Sequence, residues 1–130
     1  MSIKEFAEKF INAQTEAWEN GNFDKLEAIE HKDVIYHIPG MTNTVGIEGQ
    51  KQHIQGMRQI FSDREQQFDY LVGDVNVFSV GFKIRAKLTA DHLRLPIPAG
   101  KTLNANAIFV CQVKDGKVAE VWMNENMKVE

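Results

Sequence analysis

The chain has 130 residues, 43% of them hydrophobic and 25% charged, and 15 Lys and Arg against 18 Asp and Glu leave a net charge of −3. That composition describes a single globular domain over residues 1–130 and excludes a collagen-like fibre, a disordered tail and a multidomain chain. The acidic balance argues against a nucleic-acid partner, and no apolar run approaches the roughly 18 residues of a membrane span.

The chain opens with a helix. Ser2 and Glu5 form an S-x-x-E capping box, and Ile3, Phe6, Ala7, Phe10, Ala17 and Trp18 recur at helical spacing. Asn20-Gly21-Asn22 stops it, because Gly and Asn tolerate the left-handed conformation of a helix end. Phe23, Leu26 and Ile29 predict a second, short helix, residues 33–38 a strand closed by Pro39-Gly40, and residues 47–61 a third helix with Ile54, Met57, Ile60 and Phe61 on one face. Four strands follow, at 67–78, 82–92, 101–114 and 117–127. Ser79 to Gly81 is expected as one hairpin, and Asp115-Gly116 is the dipeptide favoured by type I′ turns. The prolines of residues 95–100 make that segment a rigid loop. Helices first and consecutive antiparallel strands after is the order of an α+β protein, a long helix covering a strongly curved sheet.

Strand parity nominates the chemistry. In the strand from Phe82, the row Phe82, Ile84, Ala86, Leu88, Ala90 ends in His92, opposite the charged row Lys83, Arg85, Lys87. An imidazole closing an apolar row can act as acid or base near neutral pH, which makes His92 the catalytic candidate; a half-exposed histidine with no task is the plainer alternative. His37 shares a face with Ile35 and is either a pocket polar group or a surface residue before a turn. Trp122 and Asn124, with Glu120, resemble the few placed polar groups of a mostly apolar ligand site, against the equal alternative that Asn124 and Asn126 face solvent at a C-terminal end; Asn104 and Asn106 add amide donors and acceptors. Cys111, in an apolar row without a basic neighbour, reads as core, and one cysteine excludes a disulfide framework. The four histidines show no metal-ligand spacing and no nucleotide-cradling motif is present, so neither metal nor cofactor is expected. The first helix is too charged for a signal peptide, which leaves a cytoplasmic protein in a reducing compartment as the expectation.

Several stretches together carry a resemblance. Tyr36-His37-Ile38-Pro39-Gly40 precedes Gly46-Ile47-Glu48-Gly49; Phe61-Ser62-Asp63 follows; then come Ala90-Asp91-His92, Pro96-Ile97-Pro98-Ala99-Gly100-Lys101 and Asp115-Gly116-Lys117-Val118-Ala119-Glu120-Val121-Trp122. In order and spacing these resemble the SnoaL-like polyketide cyclases of the nuclear-transport-factor-2-like superfamily, across essentially the whole chain. The resemblance implies a cone-shaped α+β barrel, a mixed but mainly antiparallel sheet packed on three N-terminal helices. It implies a small hydrophobic ligand in the open mouth and a homodimer formed through the outer sheet face. In the cyclases of this family a histidine and an aspartate carry out acid–base work on an aldol closure; His92 matches the histidine, while residues 101–114, where the aspartate belongs, contain no acid. A further likeness to limonene-epoxide hydrolases sets His37 where a pocket asparagine would lie, and Asn124 at the position of one of their paired aspartates. An amide cannot act as a general base, which argues against that hydrolysis. The sequence thus supports a lyase or isomerase acting on a small carbonyl compound, with a non-catalytic ligand-binding protein or a dimerisation domain as alternatives.

Overall fold

Residues 2–93 and 95–130 are described by a computed structural model. Helix α1 (Ile3–Thr15) starts at Ser2, whose hydroxyl accepts the Glu5 N–H at 3.2 Å. It runs without a break into a wider π-helical turn, Glu16–Asn20, which ends at Gly21 with φ +70°. Two features fix that end: the Gly21 N–H bonds the Ala17 carbonyl, and Arg58 donates to the Trp18 carbonyl at 3.1 Å and the Glu19 carbonyl at 3.4 Å. A cation on the last carbonyls complements the helix dipole. A Cβ at position 21 would displace the Arg58 guanidinium from this cap, and the positive φ favours glycine there.

Helix α2 (Asp24–Ile29) leads into β1 (Glu30–His37), then comes the short β2 (Thr44–Val45) and helix α3 (Gly46–Arg58). Four long strands follow: β3 (Phe61–Gly73), β4 (Val77–Leu88), β5 (Thr102–Lys114) and β6 (Lys117–Val129). The sheet order is β2-β1-β6-β5-β4-β3, antiparallel throughout except for the parallel pair β1–β6. This is the mixed, mainly antiparallel sheet with N-terminal helices expected from sequence. Among the described residues no pairing joins β3 to β2, so closure of the sheet into a cone is not detected.

The core lies between α1 and the inner face of the sheet. Phe10 meets Phe78 and Phe109 edge-on, at centroid distances of 5.8 and 6.3 Å, and Phe82 meets Phe109 at 5.3 Å. Such edge-to-face pairs add specificity to the apolar burial.

The elements after α3 differ from the sequence expectation by a shift of boundary. The third helix stops at Arg58, and Phe61 already belongs to β3. The β3–β4 turn falls at residues 74–76, where the Asp74 carboxylate accepts the N–H groups of Asn76 and Val77 at 2.8 and 3.1 Å, not at Ser79–Gly81. Gly81 lies mid-strand opposite Tyr70, whose ring occupies the space a side chain there would need; the glycine serves a close approach and not a turn. The Asp115-Gly116 turn is as expected, with φ +52° and +76°.

Candidate functional site

The alternation along each strand sorts the polar residues onto two faces. On β5 the buried row is Leu103, Ala107, Phe109 and Cys111; on β1 it is Val34 and Tyr36. Along β6 a bulge at Ala119, seen as the pairing step from Val113–Val118 to Gln112–Glu120, brings Val118 and Val121 both inward. From there Met123, Glu125 and Met127 face inward, and Glu120, Trp122, Asn124 and Asn126 face outward.

The inner face holds a small cavity between α1, α3 and the sheet. Its volume is about 60 Å³, and its polar wall consists of Trp18, His53, Arg64 and Glu125 in a lining otherwise made of Ile, Ala, Leu, Met and Phe side chains. The space admits only a few water molecules. A shallow recess of about 190 Å³ adjoins it and shares Trp18, Phe61 and Arg64 as walls. A larger open cleft of about 690 Å³ lies between the helices and the two hairpin turns, but its polar groups, Lys9, Asn12, Lys25, Asn76 and Asp115, are all solvent-exposed.

Arg64 dominates the cavity. A bulge in β3 aims it: Ser62 pairs with Lys87 and Glu65 with Arg85, so Asp63 and Arg64 together oppose Ala86, and Asp63 takes the left-handed conformation at φ +50°. The guanidinium lies over the Trp18 ring, 4.8 Å from its centroid, and Nη2 donates to Gln66 Oε1 at 2.9 Å. Its Nη1 is buried and has no hydrogen-bond partner among the described residues. Burial lowers its pKa to about 10, against the opposing charges of Glu19 and Glu125, so it remains a cation at neutral pH. His53, on α3, meets Trp18 edge-on at 5.8 Å.

Trp18 is itself held from behind. Its indole N–H donates to Gln14 Oε1 at 3.2 Å, Gln14 Nε2 donates to the Tyr36 hydroxyl at 2.7 Å, and that hydroxyl donates to Glu30 Oε2 at 2.5 Å. Gln14, Tyr36 and Glu30 are at most 1% exposed. Burial raises the Glu30 carboxyl from 4.5 to about 7, only partly opposed by the Tyr36 hydrogen bond.

The residues nominated from sequence lie elsewhere. Ile35, His37, Asn104, Asn106, Trp122 and Asn124 all project from the outer face, and none lines the cavity. There His37 stacks on Trp122 at 5.2 Å with 4° between the rings, its Nε2 lies 2.5 Å from Glu120, and its Nδ1 is 3.0 Å from the Asn43 amide. Asn104 donates to Glu130, which Arg85 also grips in a bidentate pair. His92 lies beyond the end of β4, in the loop that leads to β5. It is 7% exposed, its N–H bonds the Ile97 carbonyl, and its Nδ1 accepts the Leu95 N–H at 3.1 Å. An accepting Nδ1 leaves the ring proton on Nε2. The ring meets Phe61, a wall of the cavity, edge-on at 6.2 Å.

The helix-covered mixed sheet and its inner cavity define the nuclear-transport-factor-2-like class. A structure with this fold, an NTF2-like protein of unknown function from Burkholderia pseudomallei, superposes with a TM-score of 0.73 at 12% identity, over 93% of this chain and 90% of that one. TsrD from Streptomyces laurentii gives 0.77 at 19% identity, over 95% and 87%. A limonene-epoxide-hydrolase-like epoxide hydrolase of Mycobacterium tuberculosis gives 0.68 at 15%, over 95% and 84%. No curated protein matches the sequence. Within the class, residues 8–128 match the SnoaL-like polyketide cyclase family, and the chain belongs to that family.

Proposed function

We propose that the protein binds a small, mostly apolar carbonyl compound in the inner cavity and carries out acid–base chemistry on the carbon beside the carbonyl. The observation that carries this reading is the buried Arg64 Nη1, a charged donor with an unmet hydrogen bond in an apolar wall. An unpaired buried donor is costly, and a ligand oxygen relieves that cost. Glu125, the acid that shares this wall, takes the proton from the adjacent carbon; the C–H electron pair moves into the carbonyl, and the resulting enolate oxygen lies on Arg64. Where the substrate carries a neighbouring C=C bond, Glu125 returns the proton to the far carbon of the dienolate and completes an isomerisation. Where it carries a second carbonyl, the enolate carbon attacks that carbonyl carbon, its C=O π pair becomes an alkoxide, and Glu125 returns the proton to the alkoxide, a ring closure of the kind the family's cyclases perform. The cavity takes only the reacting end of such a molecule, and the recess beyond Trp18 and Phe61 accommodates the rest.

The test needs no knowledge of the product. Small ketones and β-diketones are incubated with the protein in deuterium oxide, and exchange at the carbon next to the carbonyl is followed by NMR. The reading expects accelerated exchange, abolished by Glu125→Gln and by Arg64→Met. Ligand-induced stabilisation that survives Glu125→Gln, with no exchange in the unmodified protein, would instead establish a non-catalytic binding protein. A homodimer through the outer sheet face, where Trp122 is 40% and Ile108 38% exposed, belongs to the same proposal. Sedimentation of the protein beside Trp122→Asp tests it.

A further inference from the structure

The hydrogen bonds behind Trp18 run in one direction. An indole N–H can only donate, so the Gln14 atom facing it is the amide oxygen. The other end of that amide is then the NH2 group, which donates to the Tyr36 oxygen, and the Tyr36 proton is left to point at Glu30. Each member therefore has one allowed orientation, set at one end by the indole and at the other by the acceptor at Glu30. Packing alone does not explain an acid there: Glu30 is 1% exposed, its Oε1 has no hydrogen-bond partner among the described residues, and no cation pairs with it in the described structure. A buried carboxyl held this way is destabilising unless it serves another end.

We infer that Glu30, which does not itself line the cavity, is a positioning residue that fixes the Trp18 indole against Arg64 by anchoring the Gln14–Tyr36 chain. This rests on the cavity being the ligand site. With no acceptor at position 30, the Tyr36 hydroxyl turns to the acceptor left in this hydrogen-bond relay, the Gln14 amide oxygen. Gln14 must then present its NH2 to the indole N–H, donor against donor, and the ring leaves its place under the guanidinium. Ionisation of Glu30 strengthens the same chain by making its last bond charge-assisted. The groups packed around Glu30 do not confuse that titration. Tyr36 on its own strand and Cys111 on β5 are both pushed well above their ordinary values by burial, α1 presents Gln14, the paired residue on β6 is Val118, and the buried residues of α2 are Leu26 and Ile29. His53, edge-on to Trp18, would confuse it, and is removed in the experiment below.

The experiment reads Trp18 directly and needs no ligand. The indole N–H resonance of Trp18 is followed through a pH titration in a His53→Gln, Trp122→Phe background, which removes the imidazole edge-on to Trp18 and leaves Trp18 as the one indole. The expected result is a shift with its midpoint near 7 at Trp18 that is lost in Glu30→Gln, which keeps an acceptor but cannot ionise. In a Trp122→Phe background, acrylamide quenching of Trp18 should rise in Glu30→Met and Tyr36→Phe and stay at the parent value in Glu30→Gln. A folded Glu30→Met with unchanged Trp18 resonance and quenching overturns the inference. Should Glu30→Met not fold, the titration decides: a Trp18 signal that ignores pH, or that titrates equally in Glu30→Gln, also overturns it. Loss of carbonyl-compound binding on Arg64→Met, or its persistence, reports on the cavity separately.

Discussion

The two faces of the sheet carry nearly the same three chemical groups, and burial gives them different uses. Inside, a guanidinium lies on an indole in a wall shared with a carboxylate: Arg64, Trp18 and Glu125. Outside, an imidazole lies on an indole beside a carboxylate: His37, Trp122 and Glu120. The outer set is internally satisfied, with one His37 nitrogen on Glu120 and the other on Asn43, and its side chains are 33% and 29% exposed for His37 and Glu120. The inner set leaves Arg64 Nη1 without a hydrogen-bond partner among the described residues, in a cavity with room for only a few waters. A surface cluster can be complete in itself, whereas an incomplete buried one is stable only at a cost that a ligand removes.

The largest expected effect breaks the comparison at its centre. Glu125→Gln removes the proton acceptor and should lower carbon-acid exchange by about 10²–10⁴-fold. Arg64→Met should cost about 10²–10³-fold through loss of oxyanion stabilisation. Either variant, folded and still exchanging at the parental rate, refutes the inner site.

Next in size is the pH dependence that burial gives to Glu30. Its carboxyl is raised from 4.5 to about 7, so the folded chain keeps a proton that the unfolded chain releases in that window. Stability therefore falls as pH rises through the window and stays lower above it. Relative to Glu30→Gln, the parent protein should lose about 2 kcal/mol between about pH 5 and pH 8. Urea unfolding of both at the two pH values checks the sign; parallel pH profiles would mean that Glu30 does not titrate in the folded state.

The bulge that aims Arg64 gives the third prediction. Asp63 holds φ +50°, a conformation that Asp tolerates and β-branched residues do not. Asp63→Val should cost about 1–2 kcal/mol and weaken binding in the cavity, while Asp63→Gly should leave both nearly intact. Equal binding by the two variants would show that the bulge does not aim the guanidinium.

How far the sequence could be read follows the same division. Helices α1 and α2, the run of consecutive antiparallel strands and the Asp115-Gly116 turn follow from caps, periodicity and turn chemistry, all of which are local; the parallel pairing of β1 with β6 is long-range and does not. Alternation also sorted β4, β5 and most of β6 correctly into two rows. Parity cannot say which row faces the helices, and the tryptophan-and-asparagine row of β6 is the outer one. The signal used for His92, a lone polar residue in an apolar row, also marks Glu125 between Met123 and Met127, and there the row does line the cavity. Arg64 was hidden for a different reason. It follows Phe61-Ser62-Asp63, which reads as a helix end, and only a bulge with Asp63 in a left-handed conformation turns its side chain inward. His92 closes an apolar row by count, yet β4 ends at Leu88 and the chain turns away before reaching it.

The smallest effect is the sharpest control on the comparison. If the outer cluster is complete in itself and partly solvated, its ion pair contributes only about 0–1 kcal/mol, since exposed pairs gain little over their hydrated partners. His37→Ala should then shift the unfolding midpoint only slightly and leave carbon-acid exchange at the parental rate. What it should disturb is the packing of the half-exposed Trp122, and with it any association through that face. A dimer that loosens while exchange persists would assign the two clusters to two tasks, one to assembly and one to chemistry. Loss of exchange in a folded, monomeric His37→Ala would instead mean that the outer face carries the reaction and that the unmet donor of Arg64 is only a structural cost.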